Sequence, residues 1–420
     1  MDFSLSEEQR AWQMKARKFA DEEIRPIALQ RDQISDPRDT FDWEVIRKGS
    51  KLGFRTAPMP KQWGGYGIDL VTQAVVMAEL AKADCSISKT FSQCWKWSQL
   101  IAAVCTDDQK ERFLKPFIAD DTSLLGMASN EPSGGSDNRM PPEDAPRAGM
   151  KLKAERKGDE WILNGEKCFI ANGGVGKLFL VRARTNPNVS VREGTTMFLV
   201  PSDTPGLRIG RIFNKAGWRF YQNAELVFDN ARVPHANLLG EVNGAAKARV
   251  GDASQFSELE LAATALGVCD AAVEAAMEHA RTRRRGGNYL STYQVIQLKL
   301  AEMHMLTEAL RSFVIRTAWE RQCVVRSEKI GRNLINADLV MIFAKEALQR
   351  LARLNMDICG ADRGTMNAHA DKMVRDSIIW THLAGDSVNH IKAIKNLICP
   401  ARGPNAMRSS GIGKSLSWFR

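Results

Sequence analysis

Met127-Ala128-Ser129-Asn130-Glu131-Pro132-Ser133-Gly134-Gly135-Ser136-Asp137-Asn138 carries a short apolar strand, Leu124 to Ala128, into a glycine-serine loop. Gly134 and Gly135 have no Cβ, so the backbone there reaches unusual dihedrals and can come close to a ligand. Ser129, Asn130 and Ser136 add short donors and acceptors, a combination able to cradle a large anionic or heteroatom-rich molecule. Turn chemistry alone explains most Pro-Ser-Gly-Gly clusters. A second polar turn follows about thirty residues on, Leu163-Asn164-Gly165-Glu166-Lys167-Cys168-Phe169-Ile170-Ala171-Asn172-Gly173-Gly174, and two such turns together point to a built site.

Outward from this loop the periodicity changes in both directions. Upstream, from Ser6 to about Asp121, apolar residues recur at helical spacing through Trp12, Phe19 and Ile24, with a capping signal at Ser6. A turn-rich interruption, Pro58 to Gly67, precedes a second long helical run, Leu70 to Ala83. Downstream, from Leu124 to about Leu239, short β runs are separated by Gly, Pro, Asn and Asp: Trp161-Ile-Leu, Leu178-Phe-Leu-Val, Thr196-Met-Phe-Leu-Val and Ala224-Glu-Leu-Val-Phe, at the spacing of a small barrel or sandwich. After Gly244 the helical period returns, through Phe256 to Met277, Val295 to Trp319 and Leu334 to Leu354. The order is α, then β, then α. It contains no βαβ alternation and no G-x-G-x-x-G fingerprint, which counts against a Rossmann dehydrogenase.

A chain of 420 residues is long enough for two or three domains. No run of about 18 uncharged apolar residues occurs, and the N-terminus lacks the basic and apolar regions of a signal peptide, so the expectation is a cytoplasmic protein with no membrane partner. The eight cysteines are scattered, without Cys-x-x-Cys pairs or a histidine at ligand spacing, and read as buried reduced thiols; no metal is expected. The net charge of +10 concentrates in Arg281 to Gly287 and in the tail from Lys392 to Arg420. Neither stretch is interleaved with aromatics at stacking spacing, so a phosphate-bearing small molecule suits them and a nucleic-acid partner is not expected.

Several further motifs occur in order: Pro60-x-x-x-Gly64-Gly65; Asp108-Gln109-Lys110-x-Arg112-Phe113-Leu114-x-Pro116; Asn130-Glu131-Pro132-x-x-Gly135-Ser136-Asp137; Asn164-Gly165-x-Lys167-x-Phe169-Ile170; Val233-Pro234-x-x-Asn237-Leu238-Leu239-Gly240; Arg283-x-x-x-Gly287 with Gln294; and Val374-Arg375-Asp376. In this register the chain resembles the acyl-CoA dehydrogenase superfamily over roughly Asp2 to Arg402. That resemblance implies a mainly α fold with a central β domain: an N-terminal helical domain (1–122), a β-barrel or sandwich domain (123–240), a C-terminal four-helix bundle (241–402) and here a basic tail (403–420). It also implies FAD, a homotetramer, an acyl-CoA substrate and an electron-transfer flavoprotein as partner. Met127 to Ser136 would hold the isoalloxazine, with Ser129 and Asn130 at its pyrimidine edge, Gly135 in the loop, and Ser136 near the pyrophosphate. Phe169, followed by Ile170 and Ala171, would lie against the flavin. Arg283, Arg285 and Gln294 would reach the pyrophosphate and adenosine from a neighbouring subunit. Met356 to Gly360 and Asp386 to Val388 would complete the site.

The departures from the family pattern concern the chemistry. Counting from Arg375-Asp376, the usual catalytic glutamate falls on Ala384, which cannot take an α-proton. The family's alternative base position, at the start of the first bundle helix, falls on Ser257, with Glu258 one residue on, where many members carry a CoA-binding arginine. Ala171 replaces the usual Thr or Ser that donates toward flavin N5, and Met356 stands where a Gln often meets the adenosine. Three readings follow: an α,β-dehydrogenase with Glu258 or Asp386 as base; a flavin oxidase, monooxygenase or lyase on the same fold with His382 as acid/base; or a non-catalytic subunit of a hetero-oligomer.

Overall fold

The computed structural model describes residues 4–135, 149–245, 257–325, 336–361, 364–365, 368–381 and 383. The first part is helical: α1 Glu7–Phe19, α2 Arg25–Gln33, α3 Trp43–Lys51, α4 Leu70–Ala83, α5 Cys85–Val104, α6 Asp107–Gln109 and α7 Lys115–Ala119. Ser6 and Gln9 close a capping box at the start of α1, the Ser6 hydroxyl accepting from the Gln9 N–H at 3.2 Å while Gln9 Oε1 accepts from the Ser6 N–H at 2.9 Å. The buried face of α1 is Trp12, Ala16 and Phe19, at the expected helical spacing. The α4 helix is buried almost all round because α1 covers one side and the third part of the chain covers another.

A single residue, Asp84, separates α4 from α5. Its Oδ1 caps α5, accepting from the N–H groups of Ser86 (2.7 Å) and Ile87 (2.9 Å). Its Oδ2 meets the Lys372 ammonium at 2.8 Å, which ties this corner to the last described helix.

The middle part is all β: β1 Leu125–Ala128, β2 Lys153–Lys157, β3 Glu160–Ala171, β4 Leu178–Arg184, β5 Thr195–Pro201, β6 Leu207–Ile212, β7 Asn223–Pro234 and β8 Leu238–Leu239. They hydrogen-bond in the order β6-β7-β3-β2-β4-β5-β8, with β1 added beside β4. The pairing of β2 with β4 is one residue pair, Lys153 with Arg184, so the sheet folds over at that point. Its two halves share a core in which Trp161, Leu163, Ile170, Leu226 and Phe228 from one half face Phe179, Val181, Phe198 and Val200 from the other.

The third part is a helical bundle: α8 Ser257–Thr282, a small hairpin of β9 Arg284–Arg285 and β10 Asn288–Tyr289, then α9 Gln294–Val325, α10 Asn336–Cys359 and α11 His369–Ile379. It packs on the first part through α8 and α4. A Cβ on Gly267 would stand 2.1 Å from the Ala78 carbonyl oxygen, so glycine is what lets the two helices cross this closely. The described cysteines are all buried and none forms a disulfide; burial pushes the Cys94 thiol up to about 11. Among the described residues no helix is long and apolar enough to cross a membrane.

Candidate functional site

The loop after β1 is fastened from below by one buried ion pair. Lys167 on β3 and Glu131 in the loop meet at 2.8 Å with side chains 0% and 3% exposed. Glu131 also accepts backbone N–H groups from Lys151 (2.6 Å) and Leu152 (2.9 Å), so its carboxylate is well supplied with donors in a dry site. Burial, only partly offset by Glu131, brings the Lys167 ammonium down to about 8. Lys167 further reaches the Ser129 carbonyl at 3.3 Å, and the Cys168 N–H donates to the Asn130 carbonyl at 2.9 Å. Reciprocal backbone bonds between Glu131 and Gly134, 2.8 and 3.1 Å, close the turn. Ser129, half-buried, and Asn130, exposed, are thereby set in place, and a Cβ on Gly135 would meet nothing within 4 Å.

Beside this loop, β3 is irregular where it pairs with β7, its register shifting between Lys167 and Ile170. Phe169 sits in the irregularity with φ of 53°, a left-handed conformation that costs a bulky residue energy and persists only where neighbours enforce it. The Asn223 amide donates to its carbonyl at 2.9 Å. Its ring is 55% exposed and stacks on Phe213 at 4.0 Å and 19°. The outer face of the Phe169 ring, backed by Phe213 and set next to an anchored loop, fits a planar heteroaromatic group such as an isoalloxazine. The residues present therefore fit the expected FAD.

Ile170 points the other way, into the sheet's core, so only its backbone faces this corner. Ala171 ends β3 half-buried and offers no side-chain donor. The next residue, Asn172, donates to the Leu125 carbonyl (3.1 Å) and the Thr90 carbonyl (3.4 Å), binding the end of β3 to β1 and α5. Met127, Ser129, Asn130, Gly135, Phe169 and Ala171 thus come together at the end of the sheet beside α5.

The other candidates lie elsewhere. Arg283, Arg285 and Gln294 are exposed around the β9–β10 hairpin, which the Tyr293 hydroxyl braces by donating to the Arg285 carbonyl at 2.6 Å. The β10 strand of that hairpin packs against α8. Met356 is half-buried near the end of α10, and Gly360, with φ of 72°, stops that helix. Glu258 is in the first turn of α8, where its charge acts on Arg321 of α9, a guanidinium whose pKa burial lowers. Ser136, His382, Ala384, Asp386 and Val388 lie outside the described residues.

Two features were not read from the sequence. Arg375-Asp376 is a strut: Arg375 binds Asp32 at 2.5 Å and Asp371 at 2.8 Å, and Asp376 accepts from Lys372 (2.6 Å) and the Trp218 N–H (2.7 Å). A buried cluster of Lys89, Lys96 and Glu260 joins α5 to α8. Its signal was the seven-residue interval between the two lysines, which puts them on one helix face.

Family profiles match most of the chain: acyl-CoA dehydrogenase N-terminal domain over residues 6–121, middle domain over 126–231 and C-terminal domain over 254–396. A probable acyl-CoA dehydrogenase of Bacillus subtilis is 30% identical over 384 residues, 90% of this chain and 94% of the relative. Among solved structures, butyryl-CoA dehydrogenase from Megasphaera elsdenii superposes with a TM-score of 0.85 at 28% identity, over 94% of this chain and 100% of the other. A chain from the structure described as an electron transferring flavoprotein of Acidaminococcus fermentans also gives a TM-score of 0.85 at 28% identity, over 95% and 100%.

Proposed function

The chain belongs to the acyl-CoA dehydrogenase superfamily, FAD-dependent oxidoreductases acting on CH–CH groups, and from that premise we propose that it α,β-dehydrogenates an acyl-CoA thioester and passes the electrons to an electron-transfer flavoprotein. The observation that carries this reading is the exposed Phe169 ring held beyond the β3 irregularity, beside a loop locked by the Lys167–Glu131 pair. FAD, when bound, supplies the acceptor for the substrate's β-hydride. Ser129 and Asn130 would hold the ring's pyrimidine edge, and the outer face of Phe169, backed by Phe213, would support one side of it. Ser136, Arg283, Arg285 and Gln294 hold the pyrophosphate and adenosine, the last three across a subunit boundary in a cytoplasmic homotetramer. Met356 to Gly360 and Asp386 to Val388 complete the pocket.

Glu258 is the proposed acceptor of the α-proton, a role in which a positioned carboxylate contributes about 10²–10⁴-fold; Asp386 and His382 are the remaining candidates. The similarity to butyryl-CoA dehydrogenase supports a short acyl chain, and the similarity to a chain from a structure named for an electron transferring flavoprotein supports that partner.

The test is anaerobic titration of the purified, yellow protein with acyl-CoA thioesters, followed by reoxidation with electron-transfer flavoprotein or air. Bleaching by a thioester that the flavoprotein reverses is the expected result. Bleaching retained in Glu258→Gln removes that residue as base. Flavin reoxidised only by oxygen favours an oxidase, and a chain that never takes up flavin alone favours a non-catalytic subunit.

A further inference from the structure

In the seam where α5 packs on α8, three charged side chains are buried together. Lys89 is 7% exposed, Glu260 1% and Lys96 15%. Lys89 pairs with Glu260 Oε1, and the Lys96 ammonium stands 3.8 Å from the same oxygen while lying over the Trp97 ring at 4.9 Å. The other carboxylate oxygen, Glu260 Oε2, is buried and accepts no hydrogen bond from the described residues. Gln93 shares the lysines' helix face and accepts from the Tyr221 hydroxyl at 3.2 Å; burial and the nearby Glu260 charge raise that phenol well above its usual range.

This cluster adjoins the flavin corner. Thr90, next in chain to Lys89, accepts the Asn172 amide that follows Ala171, and one turn on, Cys94 accepts the Leu125 N–H of β1 at 3.5 Å. Around it the seam is apolar, with Leu259, Leu261, Ala262 and Ala263 buried. A buried ion pair is tolerable when the remaining lone pairs are satisfied, and an oxygen left without a donor is a standing cost. An alkyl chain laid against Glu260 would leave that oxygen unmatched.

Resting on the acyl-thioester reading above, we propose that the substrate's acyl chain ends in a hydroxyl, a neutral hydrogen-bond donor that Glu260 Oε2 accepts while Lys89 and Lys96 hold the carboxylate in position. Glu260 then determines specificity at the far end of the acyl group.

Calorimetric binding and anaerobic bleaching of the flavin-loaded protein with butyryl-, 4-hydroxybutyryl- and 4-aminobutyryl-CoA test this. 4-Hydroxybutyryl-CoA should bind about tenfold more tightly than butyryl-CoA, the scale of one hydrogen bond to a charged acceptor, whereas 4-aminobutyryl-CoA, whose ammonium adds a third cation beside Lys89 and Lys96, should gain nothing. Glu260→Gln should reduce that preference. The double replacement Lys89→Met with Glu260→Met fills the seam with apolar side chains of similar length, an exchange that buried ion pairs often tolerate, and should reverse the order in favour of butyryl-CoA. Should wild-type protein bind all three within about twofold, or the double variant keep the wild-type order, the proposal is overturned. Bleaching by butyryl-CoA without discrimination removes this inference and leaves the dehydrogenase reading standing; bleaching by no thioester removes both.

Discussion

Phe169 holds its ring out of the sheet at a strained φ of 53°; the family resemblance implied a place against the flavin for it, while strand pattern alone gave no sign of which way the ring turns. The register shift between Lys167 and Ile170 turned it outward. Because the ring is largely exposed, Phe169→Ala should leave the melting temperature within a few degrees while lowering retained flavin several-fold, read as the ratio of visible to ultraviolet absorbance. Lys167 was visible as a motif residue, but its pairing with Glu131 joins two turns about thirty-six residues apart and needed the fold. Replacing it by Met leaves a buried carboxylate without its ammonium and should cost about 3–5 kcal/mol in urea unfolding. Burial lowers the Lys167 ammonium from 10.5 to about 8, so between those values the unfolded chain keeps a proton the folded chain has released. That group's contribution to stability therefore rises with pH across the window and is flat below about 8. Unfolding curves from pH 7 to 10 should show that rise in the wild type and lose it in Lys167→Met.

At the scale of elements, α4 was predicted over Leu70 to Ala83 and forms over those residues, because Asp69 caps it and its apolar run is long enough to be buried on several sides. What no local pattern conveyed is how abruptly it hands over to α5. Asp84 terminates one helix, caps the next and binds Lys372 of α11, so three elements converge on one carboxylate. Asp84→Ala should remove the cap, worth about 1 kcal/mol, and one of the two carboxylates on a buried lysine, for a combined loss of about 3–5 kcal/mol. Asp84→Asn keeps the cap acceptor and should lose less; urea midpoints of the two variants separate the cap from the charge. The β runs named from composition all form strands, yet their pairing order, with β1 inserted beside β4 and parallel to it, follows from tertiary packing.

For the whole molecule, α9 carries Val295, Leu298 and Met305 exposed within one sector of the helix, next to the hairpin bearing Arg283 and Arg285. On the homotetramer reading that sector faces another copy. Leu298→Glu with Met305→Glu should lower the mass measured by light scattering from four copies toward two or one, and flavin retention should fall with it if the hairpin reaches a neighbour's site. A mass unchanged by both charges would place the interface elsewhere. The sequence by itself determined the α, β, α order, because helical and strand periods are local, and it determined the family and FAD, because ordered motifs such as Asn130-Glu131-Pro132 survive without knowledge of contacts. Only the tertiary structure decided that Ile170 turns inward while Phe169 turns outward, that Glu131 is buried under Lys167, and that Lys89, Lys96 and Glu260 meet in one seam. Those outcomes depend on which distant residues become neighbours, and burial gives a charge or a ring its energetic meaning only after that choice is made.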